Sequence, residues 1–219
     1  LDYTHLRKLN PRVIVISLYA AGAYGPQRNI RTYAPSITAL SGIDSMVGYQ
    51  GEELESLIGL NFADPNAGLT GLVAVLTALY HRNSTGVGQY IDVSQWEATT
   101  CLLGEAIADF SMNGRIKQPQ GNFKQGFAPH GNYPCEGEDK WVSIAISTDE
   151  EWDNFCSVTE NPQWSSDPRF IDIASRTANQ IALDHLICKW TSRHNPYEIM
   201  QTLQNAGIAS MPVLGIDEQ

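Results

Sequence analysis

Val13-Ile14-Val15-Ile16-Ser17-Leu18 is an almost unbroken apolar run whose first four residues are all β-branched. A strand buried on one face alternates apolar and polar side chains; a run like this suits a central strand of a parallel sheet, covered on both faces. It ends in Ala20-Ala21-Gly22-Ala23-Tyr24-Gly25-Pro26, which reads as a loop. Such a strand needs neighbours, and few candidates precede it. Most of the parent sheet is therefore expected before Leu1, and the start at Leu1-Asp2-Tyr3 instead of methionine reads as an excised piece.

Working outward, residues 3–9 read as the end of a helix stopped by Asn10-Pro11. Residues 33–42 read as a short helix. Residues 65–82 form a stronger one, with Asp64 as N-cap and Pro65 at the first helical position. Its apolar residues (Leu69, Leu72, Val73, Val75, Leu76, Leu79) cover most of the circumference, which predicts deep burial. Gly86-Val87-Gly88 is a tight turn into a strand over 89–93. Ser94-Gln95-Trp96-Glu97 is a capping box that opens a helix to about Met112.

Residues 114–139 change character, being rich in Gly, Gln, Asn and Pro, and are expected as a long connecting loop; loops of that length in compact domains are usually functional or disordered. A strand follows over 141–146, then a second capping box at Thr148-Asp149-Glu150-Glu151 with a helix to about Val158. Helices over 175–192 and from Asn195-Pro196 to Gly207, and a strand over 208–214, complete the pattern. The order predicts an α/β piece over 1–113, a linker and site loop over 114–139, and a small α+β domain over 140–219.

Composition narrows the function. The net charge is −10, from 14 Lys+Arg against 24 Asp+Glu, which argues against a nucleic-acid binder or an anionic membrane surface. It leaves an anionic small ligand open, because a few local donors outweigh distant charge. No apolar run is long enough to span a bilayer. Cys101, Cys135, Cys156 and Cys188 lack metal-type spacing and read as reduced, mostly buried thiols of a cytoplasmic protein. The five histidines make no metal-binding pair.

Asp64 is the residue with the most chemical promise. As a cap it accepts backbone N–H bonds. At a helix N-terminus it also feels the macrodipole, worth roughly 0.3–1 kcal/mol. In a dry pocket the same carboxylate can attack a carbonyl and form a mixed anhydride. Ala63, Ala67 and Gly68 would leave room for a bulky ligand beside it. The two readings are compatible.

An ordered set of motifs resembles the class III CoA-transferase family (CaiB/BaiF, formyl-CoA transferase-like). It comprises the strand over 13–17 with Gly22-x-x-Gly25-Pro26; Tyr33 with Ala39-Leu40-Ser41-Gly42; Ala63-Asp64 with Gly68; and Thr85-Gly86-x-Gly88-Gln89-Tyr90-Ile91-Asp92-Val93-Ser94. Ala128-Pro129-His130-Gly131 with Tyr133-Pro134-Cys135, then Asp167-Pro168-Arg169-Phe170, and Ala206-Gly207-Ile208 with Pro212-Val213 continue it. No single motif decides; the series, spread over essentially the whole chain, is specific.

The resemblance implies part of a Rossmann-like large domain followed by a small α+β domain, and the residues that would act. Asp64 matches the family's nucleophile, which carries CoA as an aspartyl thioester before an acceptor carboxylate takes it. Arg31 and Tyr33 match positions near CoA and the active site. Gly126, His130 and Gly131 match a loop that is glycine-rich in formyl-CoA transferase; here Phe127, Ala128, Pro129 and His130 interrupt the glycines, so closure by glycine hinges is in doubt and the acceptor can differ from oxalate. Members that racemise 2-methylacyl-CoA carry histidine where this chain has Tyr33, and a tyrosine of ordinary pKa about 10 is a poor base at neutral pH. The alternatives are therefore a non-catalytic scaffold copy and, less favoured, a racemase. Asp92 and Ser94 read as capping and orienting residues. The resemblance further implies no resident cofactor, a CoA thioester as substrate, and an interlocked homodimer. Family members begin with a nucleotide-binding half that has no counterpart here, which implies an internal fragment.

Overall fold

The computed structural model describes residues 2–49 and 62–218, and the chain divides into two compact units, Leu1–Gly121 and Asn122–Gln219. In the first, α1 (Tyr3–Leu9) is capped by Asp2, which accepts the His5 N–H. Strand β1 (Val15–Tyr19) pairs in parallel with β2 (Tyr90–Ser94), with Val15 opposite Tyr90 and Tyr19 opposite Ser94. Between them run α2 (Ala34–Ser41) and the 23-residue α3 (Ala63–Thr85). Parallel neighbours need such a crossover.

Two glycines let this crossover close. A Cβ on Gly71 would stand 3.0 Å from Ile16 Cδ1 and 3.3 Å from Leu18 Cδ2, so α3 lies on β1 only because no side chain intervenes. A Cβ on Gly88 would collide with the Val13 carbonyl, while the Gly88 N–H donates to the Pro11 carbonyl at 2.8 Å. Gly86, left-handed at φ 76°, ends α3, as the expected turn requires.

Helix α3 differs from expectation in two ways. Asp64 is its second residue and caps nothing; Phe62 precedes the helix, and Pro65 sits third. The first turn tolerates proline at any of these places, since its N–H groups have no helical acceptor. Nor is α3 deeply buried: Leu69 and Val73 are each 65% exposed, and Leu72 and Leu76 are also exposed. The small residues Ala63, Ala67, Gly71 and Ala78 take the packed side.

The helix expected from Ser94 to Met112 is broken into α4 (Gln95–Thr100) and α5 (Gly104–Asn113) by a 3₁₀ turn. Ser94 does cap it, accepting the Glu97 N–H. The Thr99 and Thr100 hydroxyls then donate back to the Gln95 and Trp96 carbonyls at 2.8 and 2.9 Å, a bonding pattern that bends helices.

The second unit contains an antiparallel sheet ordered β3 (His130–Pro134), β4 (Trp141–Ala145), β5 (Ala209–Val213). Strand β3 falls inside the stretch 114–139 that composition marks as loop. Along β4 and β5 alternate residues are buried, and Val142 and Ile144 meet Trp152 and Phe155 of α6 (Asp149–Val158) and Leu203 of α9 (Pro196–Asn205) in one core. The Thr148–Glu151 capping box is complete. The single helix expected over 175–192 is two, α7 (Ile173–Ala178) and α8 (Gln180–Thr191), because the Asn179 amide at the junction donates to the Ser175 carbonyl at 2.9 Å. Cys135 and Cys156 are buried, Cys101 is exposed, and none of the four cysteines is bridged.

Arg176 is fully buried, at 0% exposure. It donates to the Ala128 carbonyl (2.8 Å), the Phe170 carbonyl (3.3 Å) and Asp149 Oδ1 (2.8 Å). Arg176→Met would nearly keep the volume but leave two buried carbonyls without a donor, while the half-exposed Asp149 carboxylate turns to water. It is expected to lower unfolding free energy by about 2–4 kcal/mol in urea titration.

Tyr133 donates to Asp184 Oδ1 at 2.7 Å, and burial pushes the Asp184 carboxyl above its ordinary 3.8. A raised folded-state value stabilises the fold below pH 3.8, and that contribution is lost as pH rises through the folded value. Asp184→Asn keeps an acceptor but does not titrate. Stability measured against pH should show the variant gaining on the parent from pH 4 towards neutrality, by about 1.4 kcal/mol per unit of raised pKa.

Candidate active site

Asp64 and Tyr33 stand at two helix starts that share one buried cluster. Ala63, the first residue of α3, is 0% exposed; Ala34, the first residue of α2, and Ile37 are buried with it, and Ala20 and Trp96 pack against all three. Hydrogen bonds tie this cluster to the end of β1. The Trp96 backbone N–H donates to the Ala20 carbonyl at 2.9 Å and its indole to the Leu40 carbonyl at 3.1 Å. Asp92 Oδ2 accepts the Ala23 N–H at 2.8 Å, which fixes the loop after β1; Asp92 and Ser94 thus orient and cap.

With its neighbour so held, the Asp64 side chain is exposed and has no hydrogen-bond partner among the described residues. It is not consumed as a cap, and the free first-turn N–H groups of α3 favour a negative charge there. Tyr33 is the N-cap of α2 by backbone geometry only; its side chain makes no cap bond and is 84% exposed. Arg31 is exposed and unpaired among the described residues. A Cβ built on Gly68, one turn along α3 from Asp64, meets nothing within 4 Å among the described residues.

Sequence reading misses Asn66. It lies two residues after Asp64, and its Nδ2 is buried without a partner among the described residues. An asparagine inside a helix carries no signal of that orientation; only the packing reveals it.

Gly126, His130 and Gly131 belong to the second unit. Gly126 is left-handed at φ 82°. His130 Nδ1 lies 2.6 Å from the Asn122 carbonyl. A carbonyl only accepts, so Nδ1 carries the hydrogen and the neutral ring offers a bare Nε2. Phe127 meets His130 edge-on at 5.5 Å, and Lys124 Nζ sits 4.3 Å over the Phe127 ring. Two of the residues that interrupt the glycines, Phe127 and His130, are thus packed together under the Lys124 cation. Gly131 faces the Tyr133 ring, whose Cζ would lie 3.3 Å from an added Cβ.

The sequence profile of CoA-transferase family III matches the chain over residues 1–219. The chain belongs to this family. Relatives include a probable CoA-transferase of Mycobacterium tuberculosis, 29% identical over 97% of this chain and 27% of its own length. An acetyl-CoA:oxalate CoA-transferase of Acetobacter aceti is 29% identical over 99% of this chain and 55% of its own. A crystal structure of a CaiB/BaiF family protein from Brucella suis superposes with a TM-score of 0.91 at 26% identity, covering 100% of this chain and 57% of that one. The family member described here thus spans between about a quarter and somewhat over half the length of these relatives, and its mixed α/β architecture is part of the CaiB/BaiF fold. Among the described residues no helix is long and apolar enough to cross a membrane.

The open space at Gly68 separates a ligand-facing helix start from a merely capped one. Gly68→Ala is expected to stabilise α3 by about 0.5–1 kcal/mol. If acyl-CoA is bound beside this turn, as proposed below, Gly68→Phe in the full-length protein is expected to leave the melting temperature nearly unchanged while raising KM at least roughly tenfold, a loss of about 1.4 kcal/mol in binding. Unchanged kinetics in Gly68→Phe would show that nothing binds beside this turn.

Proposed function

We propose that the protein carrying this chain transfers coenzyme A from an acyl-CoA thioester to a carboxylic acid, with Asp64 as nucleophile. The observation that carries the reading is an exposed carboxylate, without a side-chain or backbone partner among the described residues, in the first turn of a helix whose neighbouring alanine is fully buried. The Asp64 carboxylate attacks the thioester carbon and expels the CoA thiolate, leaving an acyl–aspartyl anhydride. The thiolate attacks the aspartyl carbonyl, releasing the donor acid and forming aspartyl-CoA. The acceptor carboxylate displaces CoA to give a second anhydride. Attack of the thiolate on its acceptor carbonyl then yields the new acyl-CoA and restores Asp64. The cycle needs no outside reductant, metal or net proton.

The acceptors in the relatives' names are oxalate, L-malate, D-citramalate, mesaconate and glutarate, all dicarboxylates. A dicarboxylate acceptor is proposed here too, with the unpaired Arg31 as a counter-charge for the carboxylate that does not react. Tyr33, exposed at the start of α2 and followed by Ala34, which shares a buried cluster with Ala63, is assigned as a hydrogen-bond donor to the substrate, which supports transfer over racemisation. His130, with Gly126 and Gly131, is assigned to the substrate loop through its bare Nε2 acceptor. The reading carries with it a cytoplasmic homodimer and CoA thioester as substrate in place of a resident cofactor.

In the full-length protein Asp64→Ala is expected to lower kcat/KM by roughly a thousandfold or more with acyl-CoA binding retained. Hydroxylamine added during turnover should convert Asp64 of the parent protein to its hydroxamate, detectable by peptide mass spectrometry. Full activity in Asp64→Ala would refute the assignment and favour a scaffold role.

A further inference from the structure

We propose that the second unit carries a separate ligand site, built at the end of α8, that takes a flat aromatic anion. A cavity of about 300 Å³ is walled there by Trp164, Leu186 and Trp190, with Lys189, Arg193 and His194 around it. Its size meets the lower range of ligand pockets, roughly 300–1,000 Å³. None of its residues belongs to the Asp64 set, and the inference does not rest on the transfer reading.

The walls are fixed. Phe155, fully buried, stacks against Trp164 (centroids 6.3 Å apart, planes at 23°) and meets Trp190 edge-on (5.8 Å, 74°). Both indoles are half-buried, and the His194 ring lies 4.9 Å from that of Trp190, so each offers a ligand the surface that Phe155 and His194 leave uncovered. They offer rigid π surface at little entropic cost.

The polar groups all point to one kind of ligand. Lys189 and Arg193 are exposed, lie one helical turn apart in sequence, and have neither a carboxylate nor any other hydrogen-bond partner among the described residues. Neither cation sits over an aromatic ring, and neither Trp164 nor Trp190 has an acceptor for its indole N–H among those residues. The Asn161 amide is spent on the Thr159 carbonyl (2.7 Å) and on Gln163 (3.1 Å), and His194 Nδ1 on the Trp190 carbonyl (2.8 Å). No Asp or Glu lines the cavity among the described residues. What remains is a donor set rich in positive charge beside aromatic walls. Lys189 in the last turn of α8 also complements the helix dipole. That accounts for Lys189; it does not account for Arg193 beyond the helix end or for two unbonded indoles.

A ligand complementary to this set has an anionic group for Lys189 and Arg193 and a flat ring for the indoles. A nucleoside monophosphate and an aromatic carboxylate share that chemistry. The full 219-residue chain, labelled with ¹⁵N-tryptophan, gives five indole signals to follow. It would be titrated with adenosine 5′-monophosphate, with benzoate, and with inorganic phosphate.

Saturable shifts confined to the Trp164 and Trp190 signals are expected with at least one of the two ring-bearing ligands; the tighter binder identifies phosphate or carboxylate as the anion. Lys189→Glu/Arg193→Glu should weaken that binding at least tenfold, and Asp64→Ala should leave it unchanged. Circular dichroism confirms folding, and Lys189→Gln/Arg193→Gln replaces the double reversal if it fails to fold. The proposal is overturned by no saturation up to about 10 mM, where a millimolar ligand would be mostly bound. It is equally overturned by undiminished binding in the double variant, or by inorganic phosphate shifting the indoles as strongly as the ring-bearing ligands.

Discussion

The first unit depends on a contact made possible by a missing side chain. At Gly71, helix α3 comes so close to β1 that any Cβ would press on Ile16 and Leu18. Close packing of a helix on a sheet demands shape fit over the whole contact, because interiors are packed as densely as organic crystals. With Ala63 and Ala67 continuing the small-residue side of α3, the helix is set against its neighbours along its N-terminal half. The same seating places Asp64 next to a fully buried alanine. Its backbone is therefore held by the core while its side chain has no partner among the described residues, a combination that suits the nucleophilic role proposed for it because it fixes the position without using up the oxygens.

The second unit solves a related problem with a charge. The Ala128 and Phe170 carbonyls lie outside the helices and strands, and an unpaired buried carbonyl is costly. One buried guanidinium, Arg176, satisfies both and keeps a third bond for Asp149. Asp149 is itself the first residue of α6, so the backbone just before His130 is tied to the start of a helix. Arginine suits this role, since its planar fork serves several acceptors in fixed directions and does not lose its proton.

How much of this is legible in the sequence follows the range of the interaction involved. The Thr148–Glu151 box and the turn at Gly86 are local patterns and appear where the residues predict them. The run over 13–18, in contrast, gives a strand that pairs only with β2 among the described residues and leaves Leu18 and Tyr19 exposed instead of covered on both faces. The resemblance motifs point to the family that the sequence profile then matches over the whole chain. The misreadings arise where a side chain competes with the backbone or where a neighbour decides. Asn179 takes the Ser175 carbonyl and splits one helix into two. Strand β3 lies in a segment whose composition reads as loop, because its pairing with β4 decides its conformation. The apolar positions of α3 predict deep burial, yet the packed side belongs to alanines and glycine. A hydrophobicity pattern weights large residues and overlooks a close helix–sheet approach, which needs small ones. The buried Asn66 amide and the Trp164–Trp190 cavity have no sequence signature, since both come from residues that tertiary packing brings together.

Net charge misleads in the same way. A total of −10 suggests a chain that repels anions. Charges act over about 8–10 Å at ordinary ionic strength, so a ligand responds to the few groups around it and not to the sum. At the start of α3 the helix contributes partial positive charge, and Arg31 is the nearest cation in sequence to Tyr33 at the neighbouring helix start. At the end of α8 the helix contributes partial negative charge, and Lys189 and Arg193 outweigh it with two full charges. The first arrangement sets a carboxylate of the protein itself at the positive end of a helix; the second favours an anion from outside. An acidic protein can therefore work on acidic molecules, provided its donors are concentrated and its carboxylates are kept away from them.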